Sequence, residues 1–163
     1  GMMAIPAIML AIALIALSKA SILIVIVAVT LPEVPRVVRL VRSIVLTIRE
    51  QPYIEAATAI GTSVPRIMLR HLLPNALPPL IVQATYICAS AVLIEAALSF
   101  LGAGTPPEVP SWGNIMAEAR PYFQLKPAMV LLPGLFLAVT VLAINLVGDG
   151  LRDMLDPRLA RRM

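Results

Sequence analysis

The sequence predicts an all-α, polytopic membrane protein. Of its 163 residues, 60% are hydrophobic and only 13% are charged, and the mean hydropathy is +0.92. Such an excess of apolar residues is more than one soluble core needs and is typical of an integral membrane protein. The apolar residues also form long runs, separated by charged and proline-rich segments. Aromatic residues make up only 4%, so a base-stacking surface is not expected, and we predict no nucleic acid partner.

Four segments are read as membrane spans. A helix needs about 20 apolar residues to cross the hydrocarbon core of a bilayer. Pro32 and Pro35 interrupt the second segment. Because proline lacks an N–H and clashes with the preceding helical turn, we expect one kinked helix there. The four predicted spans are residues 2–17, 20–49, 77–100 and 128–147.

The basic residues predict the orientation of these spans. Lysine and arginine accumulate on the cytoplasmic side of membrane proteins. We therefore expect the segment 53–74 and the tail 148–163 in the cytoplasm, and the loop 101–127 outside. The second helix is expected to leave the membrane at its basic end, on this same side. Ten of the thirteen basic residues are then inside: Arg36, Arg39, Arg42, Arg49, Arg66, Arg70, Arg152, Arg158, Arg161 and Arg162.

The segment 53–74 begins with a predicted short helix over residues 53–60. Glu55 falls in its first turn, where the helix dipole favours an anion. Ala56 and Ala57 are small enough to let the helix backbone approach another surface closely. A small-faced helix held between two spans suits docking in a groove of a partner. The alternative is an amphipathic loop packed on its own spans.

The rest of this segment predicts a turn and a second short helix. Gly61 can adopt a positive φ and suits a sharp change of direction. Ser63 and Pro65 suit the N-cap and first turn of the second helix, which Pro74 is expected to end. His71 is the one histidine of the chain. We interpret it as a structural hydrogen-bonding residue rather than a titrating switch or ligand.

Glu95 is the one acid in the third span. An ionised acid at mid-bilayer costs roughly 2.5–3.5 kcal/mol on insertion scales, so it should face protein or water. Two roles are open for it. One is a structural contact with Ser99, a backbone amide or a neighbouring chain, and the other is a place on a transport pathway.

The external loop contains a short helix, predicted over residues 111–120. Ser111 has the side chain of an N-cap. Trp112 and Tyr122 are expected to anchor the loop at the membrane surface, where amphipathic rings accumulate. Contact with a partner protein is the alternative role for these two aromatic residues.

Several stretches, in order along the chain, resemble permease subunits of ABC importers. In the segment 53–74, the run Glu55-Ala56-Ala57, then three residues, then Gly61, and further on Leu73-Pro74, is similar to the EAA loop of that family. Its HLLPN version resembles the branch that carries peptides and nickel. Three further stretches agree with this branch: EAALSFLGAG at 95–104, PSWGNIM at 110–116 and NLVGDGLRDMLDPR at 145–158.

This resemblance implies a fold like that of the methionine importer permease (MetI-like). It implies a permease subunit that moves peptides or a related small solute across the inner membrane and catalyses no reaction. Such permeases are surrounded by lipid, pair with a second permease and receive substrate from an extracytoplasmic binding protein. Two cytoplasmic ATPase subunits bind the ATP and Mg²⁺, so this chain is expected to hold no cofactor. By this likeness, the ATPase contact would involve Glu55, Ala56, Ala57, Gly61, His71 and Pro74.

Missing motifs and the number of predicted spans limit what this chain can do. The chain has no GxxxxGK[ST] phosphate-binding loop, and its single histidine and single cysteine cannot build a soft-ligand metal site. Members of the family usually have about six spans, and four are predicted here. We therefore expect that the family's first two spans have no counterpart in this sequence. Two alternatives remain: an ion-coupled secondary transporter or channel that uses Glu95, and a fragment that binds an ATPase but transports nothing.

Overall fold

The computed structural model describes residues 6–17 and 21–155 of the chain. Every regular element in these residues is a helix, which confirms the all-α prediction. The predicted tail beyond residue 155 lies outside the described residues. The elements are α1 (Ala7–Leu17), α2 (Ile22–Arg49), α3 (Pro52–Ala59), α4 (Val64–Ile67), a π segment (Met68–Leu72), α5 (Leu73–Phe100), α6 (Trp112–Ala119), a 3-10 turn (Arg120–Tyr122) and α7 (Ala128–Leu155).

Helix α5 is the centre of the bundle and packs against α1, α2, α6 and α7. The buried cluster at the junction of α1, α2 and α5 is built largely from small or branched residues: Ala11, Val25, Ala28, Val29 and Leu98. Small residues let helix backbones approach closely, which is how helices pack tightly in membranes. At the interface of α5 and α7, Gly148 faces Thr85 so closely that a Cβ on it would collide with the Thr85 hydroxyl.

Helix α2 runs unbroken through Pro32 and Pro35. Its N-cap is Ser21, whose hydroxyl accepts a hydrogen bond from the Ile24 amide at 3.4 Å. The prediction of a single long helix over this segment is therefore confirmed within the described residues. The proline-containing half and the arginine-rich half of α2 thus belong to one helix.

Two helical stretches in the described part of the chain are long and apolar enough to cross a membrane: the continuous helix Val64–Phe100, of 37 residues, and Ala128–Leu155, of 28 residues. They contain the third and fourth predicted spans. The first two predicted spans do not meet this criterion in the described residues. Helix α1 has only 11 residues there, and α2 carries one acid and four arginines. Large apolar side chains are exposed along α7, a surface that needs lipid or another chain to cover it: Leu131, Leu132, Leu135, Phe136, Val139, Leu142, Leu146 and Val147.

Pro74 does not end the second short helix, so that prediction is wrong. The helix that begins at Val64 continues through the π segment into α5. The amide of Leu73 donates to the carbonyl of Met68, five residues earlier. This wider turn comes directly before Pro74, where the lost N–H and the proline ring would otherwise break an α-helical ladder. Asn75 adds a compensating bond, because its side-chain amide donates to the His71 carbonyl at 2.6 Å.

Candidate functional site

Helix α3 is held against the end of α2 by a small apolar core. Ile48, Ile54 and Ile67 are buried together, one from each of α2, α3 and α4. Ala57 and Leu72 pack around them. Burial of a branched aliphatic side chain contributes about 1.5–3 kcal/mol each. The two short helices are therefore fixed to the long helices rather than hanging as a free loop.

Gly61 makes the turn between α3 and α4, as predicted. Its φ is +80°, a conformation that glycine adopts without steric cost. Its amide donates to the Thr58 carbonyl at 2.9 Å, and the Thr62 amide donates to the Ala57 carbonyl at 3.0 Å. This pair of bonds is a Schellman motif, which satisfies the last carbonyls of α3. The direction in which the chain leaves α3 is thereby fixed.

The outer side of α3 presents an acid and small residues to the surroundings. Glu55, Ala56 and Ala59 are exposed, and Ile60 at the end of the helix is 84% exposed. Ala57 differs from Ala56, because it is half-buried and packs on the isoleucine core. We call the exposed set Glu55, Ala56, Ala59 and Ile60 the α3 surface. Of the predicted contact alanines, Ala56 lies on this surface and Ala57 supports it.

His71 connects the π segment to α3. Its ring is half-buried, with its centroid 5.9 Å from that of Tyr53 at an angle of 45°. The structure thus brings His71 next to the start of α3, whereas Pro74 lies one turn further along, exposed, at the beginning of α5. Two of the predicted coupling residues, Glu55 and Ala56, therefore lie on the α3 surface, and Ala57 and His71 lie behind it. The other two are the turn residue Gly61 and Pro74.

Glu95 is held by hydroxyl groups. Its Oε1 accepts hydrogen bonds from Ser99 Oγ at 2.7 Å and from Thr105 Oγ1 at 3.2 Å. The predicted contact with Ser99 is confirmed, and the side chain also lines a cleft between α2 and α5. Thr105 comes from the loop between α5 and α6, so Glu95 connects this loop to the end of α5.

Asn114 of α6 closes the same polar network. Its Nδ2 donates to Thr105 Oγ1 at 3.1 Å, to the Pro106 carbonyl at 3.0 Å and to the Val109 carbonyl at 2.9 Å. Ser111 caps α6, as predicted, by accepting from the Asn114 amide at 3.1 Å. A Cβ on Gly113 would lie 2.5 Å from the Ala96 carbonyl oxygen. Close packing and polar bonds together hold the loop on α5.

The predicted aromatic anchors of the loop have different surroundings. Trp112 stacks on the Phe136 ring of α7, with centroids 5.6 Å apart and an angle of 11°. Tyr122 is 54% exposed. Arg120 lies over the Phe100 ring, 4.5 Å from its centroid, and donates to the Phe100 carbonyl at the end of α5. Trp112 therefore packs against a helix of the bundle, whereas Tyr122 is exposed, and the anchoring of these rings at the membrane surface stays a prediction.

Glu33 was missed by sequence reasoning. It lies in α2 and lines the cleft with Glu95, yet only 9% of it is exposed. Its Oε1 pairs with Arg36 Nη1 at 2.6 Å, while Oε2 is buried and has no hydrogen-bond partner among the described residues. The signal in the sequence was an acid three residues before an arginine in an otherwise apolar run, a spacing that brings the two side chains together on a helix.

Long apolar helices, with a surface held fixed between two of them, are features of a polytopic membrane protein. The chain belongs to the family of binding-protein-dependent transport system inner membrane components, whose profile matches residues 2–161.

Known proteins of similar sequence and structure agree with this assignment. The chain is 55% identical to the probable peptide ABC transporter permease protein y4tQ of Sinorhizobium fredii, over 99% of the chain and 56% of that relative. It is 44% identical to the dipeptide transport system permease protein DppC of Alkalihalophilus pseudofirmus, over 97% of the chain and 52% of that relative. The chain thus spans about half the length of these relatives.

The fold is also that of a solved structure. The MetNI methionine ABC transporter, in inward facing conformations, matches with a TM-score of 0.75 and 25% identity, over 95% of this chain and 71% of the matched chain. The predicted MetI-like fold is confirmed.

Proposed function

We propose that this chain is the transmembrane part of an ABC importer permease that moves peptides or a related small solute. It works with a second permease, two ATPase subunits and an extracytoplasmic binding protein, and the ATPase subunits hydrolyse the ATP. The family and the names of the relatives support the class of transporter. The distribution of arginines supports a cytoplasmic position for α3, α4 and the C-terminal end of α7.

The observation that carries the coupling role is the rigid attachment of the α3 surface. A helix that transmits movement must be exposed on one side and fixed on the other. Glu55, Ala56 and Ala59 are exposed, while Ile54 on the opposite side is 6% exposed and packs on α2 and α4. Helix α4 continues through the π segment into α5, so a displacement of α3 has a direct mechanical route to a membrane-spanning helix.

The test is a pull-down of the chain in detergent with its cognate ATPase subunits. Ala56→Trp places a large side chain on the α3 surface and should abolish the interaction, because a close-fitting groove has no room for it. Ala138→Trp is the matched control, since Ala138 is also an exposed helical alanine but lies on α7. Normal binding by Ala56→Trp, or equal loss in both variants, would show that the α3 surface is not the contact.

A further inference from the structure

A cleft of about 520 Å³ lies between α2 and α5. Its α2 side is formed by residues at helical spacing, from Ile22 to Val38, and its α5 side by Ile87, Ala91 and Glu95, one turn apart. At 1.5 Å per residue, the α2 wall extends over about 24 Å along the helix axis. The volume is within the range of small-molecule sites, about 300–1,000 Å³.

The cleft has mainly aliphatic walls and carries negative charge. Its polar lining residues are Thr30, Glu33, Glu95 and Thr105, and no lysine, arginine or histidine within residues 6–17 and 21–155 lines it. Arg36 offsets the charge of Glu33. Glu95 accepts from two hydroxyls and has no cationic partner among the described residues. One uncompensated carboxylate therefore faces an apolar space in a membrane-spanning helix, where an ionisable group normally marks a binding or transport site.

Glu33 supplies an independent observation in the same cleft. A buried carboxylate oxygen is normally hydrogen-bonded, and an unpaired one is unfavourable. Its Oε2 nevertheless lacks a partner in the described part of the chain. Glu33 thus adds an unused acceptor to the wall that faces α5, at a position where a donor is missing.

We propose that this cleft binds the transported solute by its ammonium group. Glu95 accepts the charged N–H donors, the aliphatic walls of α2 and α5 contact the apolar body, and Glu33 adds an acceptor further along the cleft. The hydroxyls of Ser99 and Thr105 are positioning groups, because they hold the Glu95 carboxylate at the cleft wall. This inference rests on the proposed transport function and specifies the solute as one with a free ammonium group.

The test uses two probes that differ at the amino group. Leucine amide carries a free ammonium group, and N-acetyl-leucine amide has the same side chain without it. Binding of each to the chain in lipid nanodiscs is measured by equilibrium dialysis. We expect leucine amide to bind about tenfold or more tightly than the acetylated probe, as is usual for loss of a hydrogen bond to a charged group.

Variants locate the site. Glu95→Gln keeps an acceptor for Ser99 but removes the charge, so it should weaken leucine amide binding by about tenfold. Glu33→Gln should also weaken it, because Arg36 is then left uncompensated beside the cleft. Glu108→Gln is the control, since it makes the same charge change in the exposed part of the external loop. Circular dichroism checks that all three variants remain helical.

Three results would overturn the inference: equal binding of the two probes, no binding of either, or unchanged binding by Glu95→Gln. These binding results are independent of the ATPase interaction, which the Ala56→Trp pull-down measures separately. Loss of the cleft proposal with normal pull-down would thus leave the coupling role intact, and the reverse outcome would leave the cleft intact.

Discussion

The change Gly61→Ala tests whether the turn after α3 depends on a left-handed residue. Gly61 has a φ of +80°, and a Cβ added to it would meet nothing within 4 Å. Steric contact with other residues therefore contributes nothing to the cost. What remains is the intrinsic penalty of an L-residue in the left-handed region, about 1–2 kcal/mol.

This penalty has a measurable size. A change of 1–2 kcal/mol alters the ratio of ordered to opened turn by about 5- to 30-fold. The bonds at risk are those from the amides of residues 61 and 62 to the carbonyls of Thr58 and Ala57. We expect the exchange rates of these two amides to rise by the same factor, because local opening controls their exposure to water.

The assay is hydrogen–deuterium exchange of the chain in detergent, followed at residues 57–62. Gly61→Asn should show a smaller effect, since asparagine tolerates this conformation better than alanine. The matched control is Gly150→Ala, in α7, where the added Cβ also has open space but φ is not positive. Unchanged exchange in Gly61→Ala, or an equal rise in the control, would refute the reasoning.

Two further changes test the core under α3 and the loop on α5. Ile54→Ala should lower the free energy of unfolding of the short helices by about 2–5 kcal/mol. The control Ile60→Ala changes a residue that is 84% exposed and should alter this free energy little. Limited proteolysis between residues 50 and 70 distinguishes the two variants. Asn114→Asp removes the Nδ2 donor from four acceptors and should destabilise the loop by about 1–3 kcal/mol, seen as a lower melting temperature. Gln124→Glu makes the same amide-to-carboxylate change at an exposed position before α7 and should leave the melting temperature unchanged. An equal drop there would contradict the proposed role of the Asn114 bonds.

The sequence was sufficient for the parts of the molecule that depend on local chemistry. Apolar runs of helical length predicted the long helices, and capping residues predicted the start of α6 at Ser111. Gly61 was recognised because few residues other than glycine adopt a positive φ. The contact of Glu95 with Ser99 was also predictable, since residues four apart meet on one side of a helix.

The continuation of the helix through Pro74 could not be predicted in this way. Proline normally ends a helix because it removes a donor and clashes with the turn before it. Here the helix shifts to π geometry over Met68–Leu72, and Asn75 satisfies the His71 carbonyl. Whether a chain ends its helix or widens it depends on what the following residues pack against, and α5 is anchored by several neighbouring helices.

By itself, the sequence determined the helical class, the third and fourth predicted spans and the position of the turn at Gly61, because composition, periodicity and backbone preference are local properties. Only the tertiary structure decided which alanine of α3 is exposed and which is packed, since that depends on the isoleucine core beneath it. It also decided that Glu33 and Glu95, 62 positions apart, line one cleft. Their proximity results from the packing of α2 on α5, which no short stretch of sequence encodes.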